Sequence, residues 1–177
     1  MKRALFAVMM IALAAGCSTL SVNTDYSVDA DFSQFKTFQY QNSDNDVEGA
    51  SPLVHERIVN AIRQGMTSSG LQEVDSDPDV YVTYHGSAVN QLRFDTTYMT
   101  MTNWHRPGWH SGMGVTSAST RTTTITEGTL VIDIWAASTN TLVWRAIATD
   151  TLSRNPERNT AAINRAVERA FRNFPPR

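Results

Sequence analysis

The sequence EGTLVIDIWAASTNTLVWRAIA, residues 127–148, contains two apolar runs separated by a short polar segment. Within each run apolar side chains recur at every second position, which is typical of a strand with one buried face. The segment between the runs, Ser138-Thr139-Asn140, has the composition of a turn. These residues therefore predict an antiparallel β-hairpin. The side chains on one face would be Leu130, Ile132 and Ile134 in the first run and Leu142, Trp144, Ala146 and Ala148 in the second.

Further strands are predicted upstream of this hairpin. Alternating apolar and polar residues indicate short strands within 22–28 and, within 31–40, at Phe38 and Tyr40, and a longer strand from Val80 that extends to about Phe94. The threonine-rich segment 115–126 is β-prone with little alternation, which favours a separate edge strand. The stretch between these two segments, residues 95–114, is expected to be an irregular loop.

Two helices are predicted from apolar residues at spacings of three and four. The first begins at Ser51 as N-cap with Pro52 at the first helical position, and it ends at Gly70. The second is expected to begin at Asn159 or Thr160 and to end before Pro175. The fold class is therefore α+β. We expect a two-layer sandwich, with one mostly antiparallel, twisted sheet and both helices packed on one face.

Length and composition favour one folded domain. The chain has 177 residues, of which 41% are hydrophobic and 18% charged, and its formal net charge is −2. This hydrophobic content is too high for a disordered chain, and the near-neutral charge argues against a nucleic-acid-binding protein. A single cysteine, Cys17, excludes an intrachain disulfide and a zinc site built from several thiolates.

The N-terminus has the features of a secretory signal peptide. Lys2 and Arg3 precede an uncharged apolar run of about a dozen residues, which is too short to span a membrane. The segment Ala14-Ala15-Gly16-Cys17 resembles the lipobox of bacterial lipoproteins, with Ala14 where leucine is usual. The resemblance implies cleavage before Cys17, a diacylglyceryl group on its thiol and acylation of the new amine. Ser18, in place of the aspartate that retains such proteins in the inner membrane, favours the outer membrane.

This interpretation divides the chain into three parts. Residues 1–16 would be removed as the signal peptide, 17–30 would form the lipidated cysteine and a tether, and 31–177 would form a single periplasmic domain. Removal of Lys2 and Arg3 leaves 13 basic and 17 acidic residues, so the mature net charge would be −4.

Four stretches of the mature chain resemble bacterial lipoproteins that carry the domain of unknown function 4136. They are Asp31-Phe32 with Lys36-Thr37-Phe38, the first helix with Gly70 and Asp77-Pro78-Asp79-Val80, the segment 128–133, and Leu142-Val143-Trp144-Arg145 before the last helix. They span most of the mature chain. The resemblance implies a small α+β domain facing the periplasm, and it implies no catalytic residues.

Two surfaces are candidates for binding. The 95–114 loop contains Trp104, His105, Trp109 and His110 among methionines and glycines, a composition that suits an adaptable contact surface. An equally good interpretation is that this loop covers the open face of the sheet. The second surface is formed by Arg165, Arg169 and Arg172, whose spacing places them on one helical face. They could meet phosphates or carboxylates, or they could be a solvated helix surface.

No catalytic constellation appears in the sequence, and we expect a non-enzymatic protein without a cofactor. The expected partners are the membrane, through the N-terminal lipid, and an envelope protein, lipopolysaccharide or peptidoglycan. Nucleic acid is not expected. The alternative hypothesis is a small metal-dependent or hydrolytic periplasmic enzyme that uses His105 and His110. Their spacing of five matches no known metal motif, and a catalytic zinc needs three protein ligands.

Overall fold

The computed structural model describes residues 19–42, 51–101 and 115–176. Two helices and six strands make up this part of the chain, so the α+β class is confirmed. Neither described helix is both long and apolar enough to cross a membrane. The elements are β1 (Ser21–Tyr26), β2 (Thr37–Tyr40), α1 (Pro52–Ser68), β3 (Gln72–Glu73), β4 (Val80–Met101), β5 (Val115–Ala136), β6 (Thr141–Leu152) and α2 (Pro156–Phe171), with a single 3₁₀ turn at Phe32–Gln34.

The six strands form one mixed sheet in the order β1-β6-β5-β4-β2-β3. The pairs β1–β6, β6–β5 and β5–β4 are antiparallel, and β4–β2 and β2–β3 are parallel. The predicted hairpin is present as β5 and β6, with one register shift next to Ile134. β1 lies within residues 17–30, so part of the segment interpreted as a tether belongs to the sheet.

Strands β4 and β5 are much longer than the sequence pattern suggested. They pair residue by residue from Val80 opposite Ala136 to Met101 opposite Val115. The prediction of a separate edge strand at 115–126 is wrong, because this segment continues without a break into 127–136. The prediction of a loop is wrong for 95–101, which is the end of β4. Threonines and Tyr98 suit a pleated ribbon even where burial imposes no alternation. Residues 102–114 lie outside the described residues.

Capping residues fix where both helices begin. The Ser51 side chain accepts a hydrogen bond from the Leu53 N–H, as predicted. α2 begins earlier than expected, because the Asn155 side chain accepts from the Arg158 N–H and Pro156 follows it. Asn159, one of the two predicted caps, instead bonds to the backbone of Ser153. Such a cap stabilises a helix by about 1 kcal/mol.

The core contains buried side chains from both helices and from alternate positions of the central strands. Ile62 and Met66 of α1 and Val167 of α2 belong to the same cluster as Val82 and Ile134. The two helices also touch each other closely. A Cβ added at Gly65 of α1 would lie 2.6 Å from the Phe171 ring, so glycine is needed for this approach. The large apolar side chains of the strands that are fully buried are Phe38, Val80, Val82, Tyr84, Ile132 and Ile134.

Asp79 ties the start of β2 to the start of β4. Its carboxylate accepts hydrogen bonds from the backbone N–H groups of Lys36 and Thr37 at 2.8 and 2.9 Å, and from the Thr37 hydroxyl. The two backbone N–H donors hold the pKa of Asp79 below its usual value, because they stabilise the ionised form. The Asp-Pro-Asp turn therefore fixes the parallel pairing of these two strands.

Candidate functional site

The first described residues of the chain lie against α2. Arg169 Nη1 donates to the backbone oxygen of Leu20 at 3.2 Å, and the Leu20 side chain is buried. The Thr19 hydroxyl donates to the Asp150 carboxylate on β6. The point where the chain enters the domain is therefore fixed beside the helix that carries the predicted basic face.

The structure brings the three predicted arginines to one side of the domain. Arg165 and Arg169 are exposed on α2, and Arg172 is exposed at its C-terminal end. Arg165 lines a shallow groove with Thr19, and the other two line a second groove with Val22 of β1. These arginines therefore flank the N-terminal end of the sheet edge. A fourth arginine, Arg158, lines the first groove as well, and the spacing pattern did not single it out.

The described surface beside β1 is mainly cationic. Asp150 is the acidic residue in these two grooves, and its carboxylate is engaged by Thr19. Glu168 of α2 lines a third groove, between the two helices, together with Arg172. Exposed guanidinium groups are suited to bind phosphate or carboxylate groups of a partner.

A buried carboxylate belongs to Asp133, between Ile132 and Ile134 on β5. Because consecutive strand residues point to opposite faces, it lies on the face of the sheet opposite to these two isoleucines. Asp133 is fully buried, and Arg145 Nε and Nη2 donate to its two oxygens at 2.6 and 2.7 Å. These bonds raise the pKa of the Arg145 guanidinium. His85 Nε2 lies 4.0 Å from Asp133 Oδ2. Both carboxylate oxygens are thus occupied, so Asp133 is an ion-pair partner rather than a free acid or base.

Sequence reasoning missed the Asp133–Arg145 pair, although the hairpin contained the signal. The register of β5 and β6 places these two residues directly opposite each other. Opposite charges at directly opposed positions attract across a strand pair.

His55 joins α1 to the sheet. Its Nδ1 lies 2.8 Å from the Tyr84 hydroxyl, and its ring is 6.3 Å from the Tyr40 ring. Tyr84 and His85 are consecutive in β4 and point to opposite faces of the sheet, so His55 and His85 lie on opposite sides of it. Among residues 19–42, 51–101 and 115–176, no group of three or more histidine, cysteine, aspartate or glutamate side chains could hold a metal ion.

Several predicted site residues lie outside the described part of the chain. They are the lipidation site Cys17 and the loop residues Trp104, His105, Trp109 and His110. Their proposed roles, including the metal hypothesis for the two histidines, stay predictions.

An apolar groove of about 150 Å³ lies where β4 and β5 leave the core. Its floor is formed by small residues of the sheet, among them Gly86, Ala88 and Gly128, and one wall by Ile163 of α2. The groove has room for an apolar side chain.

A known protein family matches most of the chain. The family model described as Domain of unknown function (DUF4136) matches residues 22–176. The matched range begins inside β1 and ends after α2, so it covers the sheet and both helices. No curated protein sequence matches the chain.

Solved structures show a distant likeness of fold. A PDZ domain protein from Parabacteroides distasonis is 16% identical with a TM-score of 0.53, and the alignment covers 97% of this chain and 39% of that one. The PelC dodecamer from Paraburkholderia phytofirmans is 10% identical with a TM-score of 0.48, covering 86% and 94%. A minor lipoprotein from Acinetobacter baumannii is 7% identical with a TM-score of 0.36, covering 79% and 92%.

Proposed function

Because the chain belongs to the family of the domain of unknown function DUF4136, we propose that it is a lipid-anchored outer-membrane protein whose periplasmic domain binds an envelope component. The domain would act by binding and not by catalysis. In this proposal Cys17 carries the lipid, and the α2 arginines contact anionic groups close to the anchor. The fold would be a two-layer sandwich with both helices on one face of the sheet.

The hydrogen bond from Arg169 to Leu20 carries this proposal. Cys17 precedes Leu20 by three residues, which extend at most about 10 Å. A lipid on Cys17 would therefore hold the basic side of α2 close to the membrane surface. Phosphate groups of phospholipid or lipopolysaccharide would be within reach of Arg165 and Arg172. Ionic contacts across more than about 8 Å are screened at physiological salt, so this proximity matters.

The chemistry of the described residues supports binding rather than catalysis. The buried carboxylate of Asp133 is neutralised by two hydrogen bonds from Arg145. The exposed arginines are permanent cations and so serve recognition better than proton transfer.

Fractionation tests the anchor. Cys17→Ala should remove labelling by palmitate and move the protein from the membrane to the soluble fraction. Ser18→Asp tests which membrane holds the protein. This variant should keep the palmitate label but be found in the inner membrane instead of the outer membrane. If Cys17→Ala stays with the membranes, the anchoring proposal is wrong.

Vesicle flotation tests the basic face. The Cys17→Ala protein should float with vesicles that contain anionic phospholipid and not with neutral ones. Arg165→Ala with Arg172→Ala should abolish this binding, whereas Arg63→Ala on α1 should not. Equal binding by both variants would exclude a specific role of α2. Binding of peptidoglycan fragments in place of vesicles would identify carboxylates as the ligand.

Metal analysis tests the non-enzymatic part of the proposal. Stoichiometric metal in the purified protein that disappears in His105→Ala and His110→Ala would overturn it in favour of a metal-dependent enzyme.

A further inference from the structure

We propose that two copies of this chain pair through the free edge of β4, with the strands antiparallel and the two-fold axis at Phe94. The pairing covers residues 88–100 of each copy and joins two sheets into one. It does not depend on the lipid anchor or on the α2 arginines.

Over most of its length the outer edge of β4 has no strand partner among residues 19–42, 51–101 and 115–176. Among the described residues, β2 pairs with β4 only at Val80–Val82, and beyond Val82 the strand partner is β5 alone. The backbone oxygen of Val82 accepts a hydrogen bond from the Gln41 N–H on the side of β2. The backbone oxygen of Asp79 accepts one from the Ala137 N–H, on the side of β5. Because alternate residues of a strand bond to opposite sides, even-numbered residues of β4 direct their N–H and C=O groups to the open edge.

This edge is long and exposes several large apolar side chains, and both properties favour pairing with another strand. Five large apolar side chains of β4 are between 55 and 71% exposed: Val89, Leu92, Phe94, Tyr98 and Met99. Natural edge strands usually avoid pairing by being short or by carrying proline or inward charges, and residues 88–100 have no proline.

Charge complementarity selects the second copy as the occupant and also selects the register. Arg93 and Asp95 are two positions apart in the strand and so lie on the same face, where Arg93 Nε is 3.3 Å from Asp95 Oδ1. A two-fold axis at Phe94 places Arg93 of each copy opposite Asp95 of the other. The same register places Val89 opposite Met99. Moving the axis by one residue to 93 or 95 would oppose two arginines or two aspartates, which costs free energy.

Pairing over thirteen residues per copy is a small interface, so we expect association with a Kd on the order of micromolar. Attachment of both copies to one surface would raise their local concentration.

Charge reversal in separate copies tests the register. Sedimentation of the Cys17→Ala protein should show a concentration-dependent dimer. Arg93→Asp alone and Asp95→Arg alone should each weaken association at least about tenfold, because like charges then face each other. An equimolar mixture of these two variants should associate as tightly as the unchanged protein, since every reversed charge again meets an opposite one. The proposal is overturned if the unchanged protein is a monomer at all concentrations, or if the mixture does not associate.

A backbone variant separates edge pairing from other contacts. Thr96→Pro removes an N–H that faces the open edge and not β5, so the fold should persist while dimerisation is lost. Thr96→Val keeps the N–H and should keep the dimer. Circular dichroism checks that both variants fold. A folded Thr96→Pro protein that still dimerises would show that β4 edges do not form the contact. If Thr96→Pro fails to fold, the mixing experiment decides alone.

Discussion

In both halves of the β4–β5 hairpin the strands pair in the same way, but the apolar side chains are buried in one half and exposed in the other. In the inner half, residues 80–86 and 130–136, Val82 and Ile134 are fully buried. In the outer half, which we call the arm (residues 91–101 and 115–125), Leu92 and Phe94 are 63 and 64% exposed. All four side chains lie on the same face of the ribbon, because they are an even number of positions apart.

The extent of the core is therefore set by the helices and not by the length of the strands. Ile163 and Ala162 of α2 reach the sheet as far as Ala88 and Gly128, at the apolar groove. Beyond Ala88 and Gly128 the two strands are held together by backbone hydrogen bonds and by side-chain pairs. One such pair is Thr96 with Thr120, whose hydroxyl oxygens are 3.0 Å apart. An isolated two-stranded ribbon is only marginally stable in water, so pairing with a further strand would stabilise the arm.

The largest expected difference between the halves concerns truncation of apolar side chains. Ile132→Ala in the inner half should lower the free energy of unfolding by about 3 kcal/mol, because it leaves a cavity in a buried cluster. Leu92→Ala in the arm should change it by less than about 0.5 kcal/mol. Denaturant titration of the Cys17→Ala protein measures both. Equal effects would mean that the arm is packed as tightly as the core.

Ion pairs should show the same contrast. Arg145→Met leaves the buried Asp133 carboxylate without its donors and should cost about 3 kcal/mol. Arg93→Met in the arm removes an exposed pair and should cost less than about 0.5 kcal/mol. Thermal unfolding of the two variants at equal salt provides the measurement. A comparable loss in both would contradict the assignment of Asp133 to a buried pair.

Asp79 provides a smaller effect that depends on pH. Asp79→Asn weakens hydrogen bonds to the Lys36 and Thr37 N–H groups and should cost about 1–2 kcal/mol at neutral pH. Because the pKa of Asp79 is lowered from 3.8, its contribution is present above that value and is lost as the pH falls through the lowered pKa. The two proteins should therefore converge in stability in acid. Asp77→Asn, in the same turn, leaves the hydrogen bonds from Lys36 and Thr37 to Asp79 in place and is the control variant.

The smallest effect is expected at the junction between the halves. A Cβ at Gly128 would lie 2.7 Å from Leu152 Cδ2, but Leu152 is 37% exposed and its side chain can rotate away. Gly128→Ala should therefore change the free energy of unfolding by less than about 1 kcal/mol. Gly65→Ala is the matched variant with a buried neighbour, Phe171, and should cost more. A larger loss for Gly128→Ala would place the limit of the core further along the arm.

The sequence predicted those elements whose burial leaves a periodic pattern. The β5–β6 hairpin, the Ser51 cap and the apolar faces of both helices follow from alternation or from spacings of three and four. The arm could not be predicted in this way, because strands exposed on both faces need no alternation. The sequence pattern therefore predicts a loop at Tyr98 and Met99, where the structure has a strand. The Asp133–Arg145 pair was missed because charge pairing depends on register, which is known only once the hairpin is aligned.

The direction of β1 determines how a dimer would attach to a surface. Ser21 lies in one row with Thr149, Thr129 and Ser87, so the chain before Ser21 extends toward the arm. In the proposed pair, residue 87 of one copy lies opposite residue 101 of the other, and the two Ser87 rows are about 47 Å apart along the strands. With both chains anchored at Cys17, the pair would be attached at two widely separated points. Such a two-point attachment would hold the joined arms parallel to the membrane plane and prevent either domain from tilting independently.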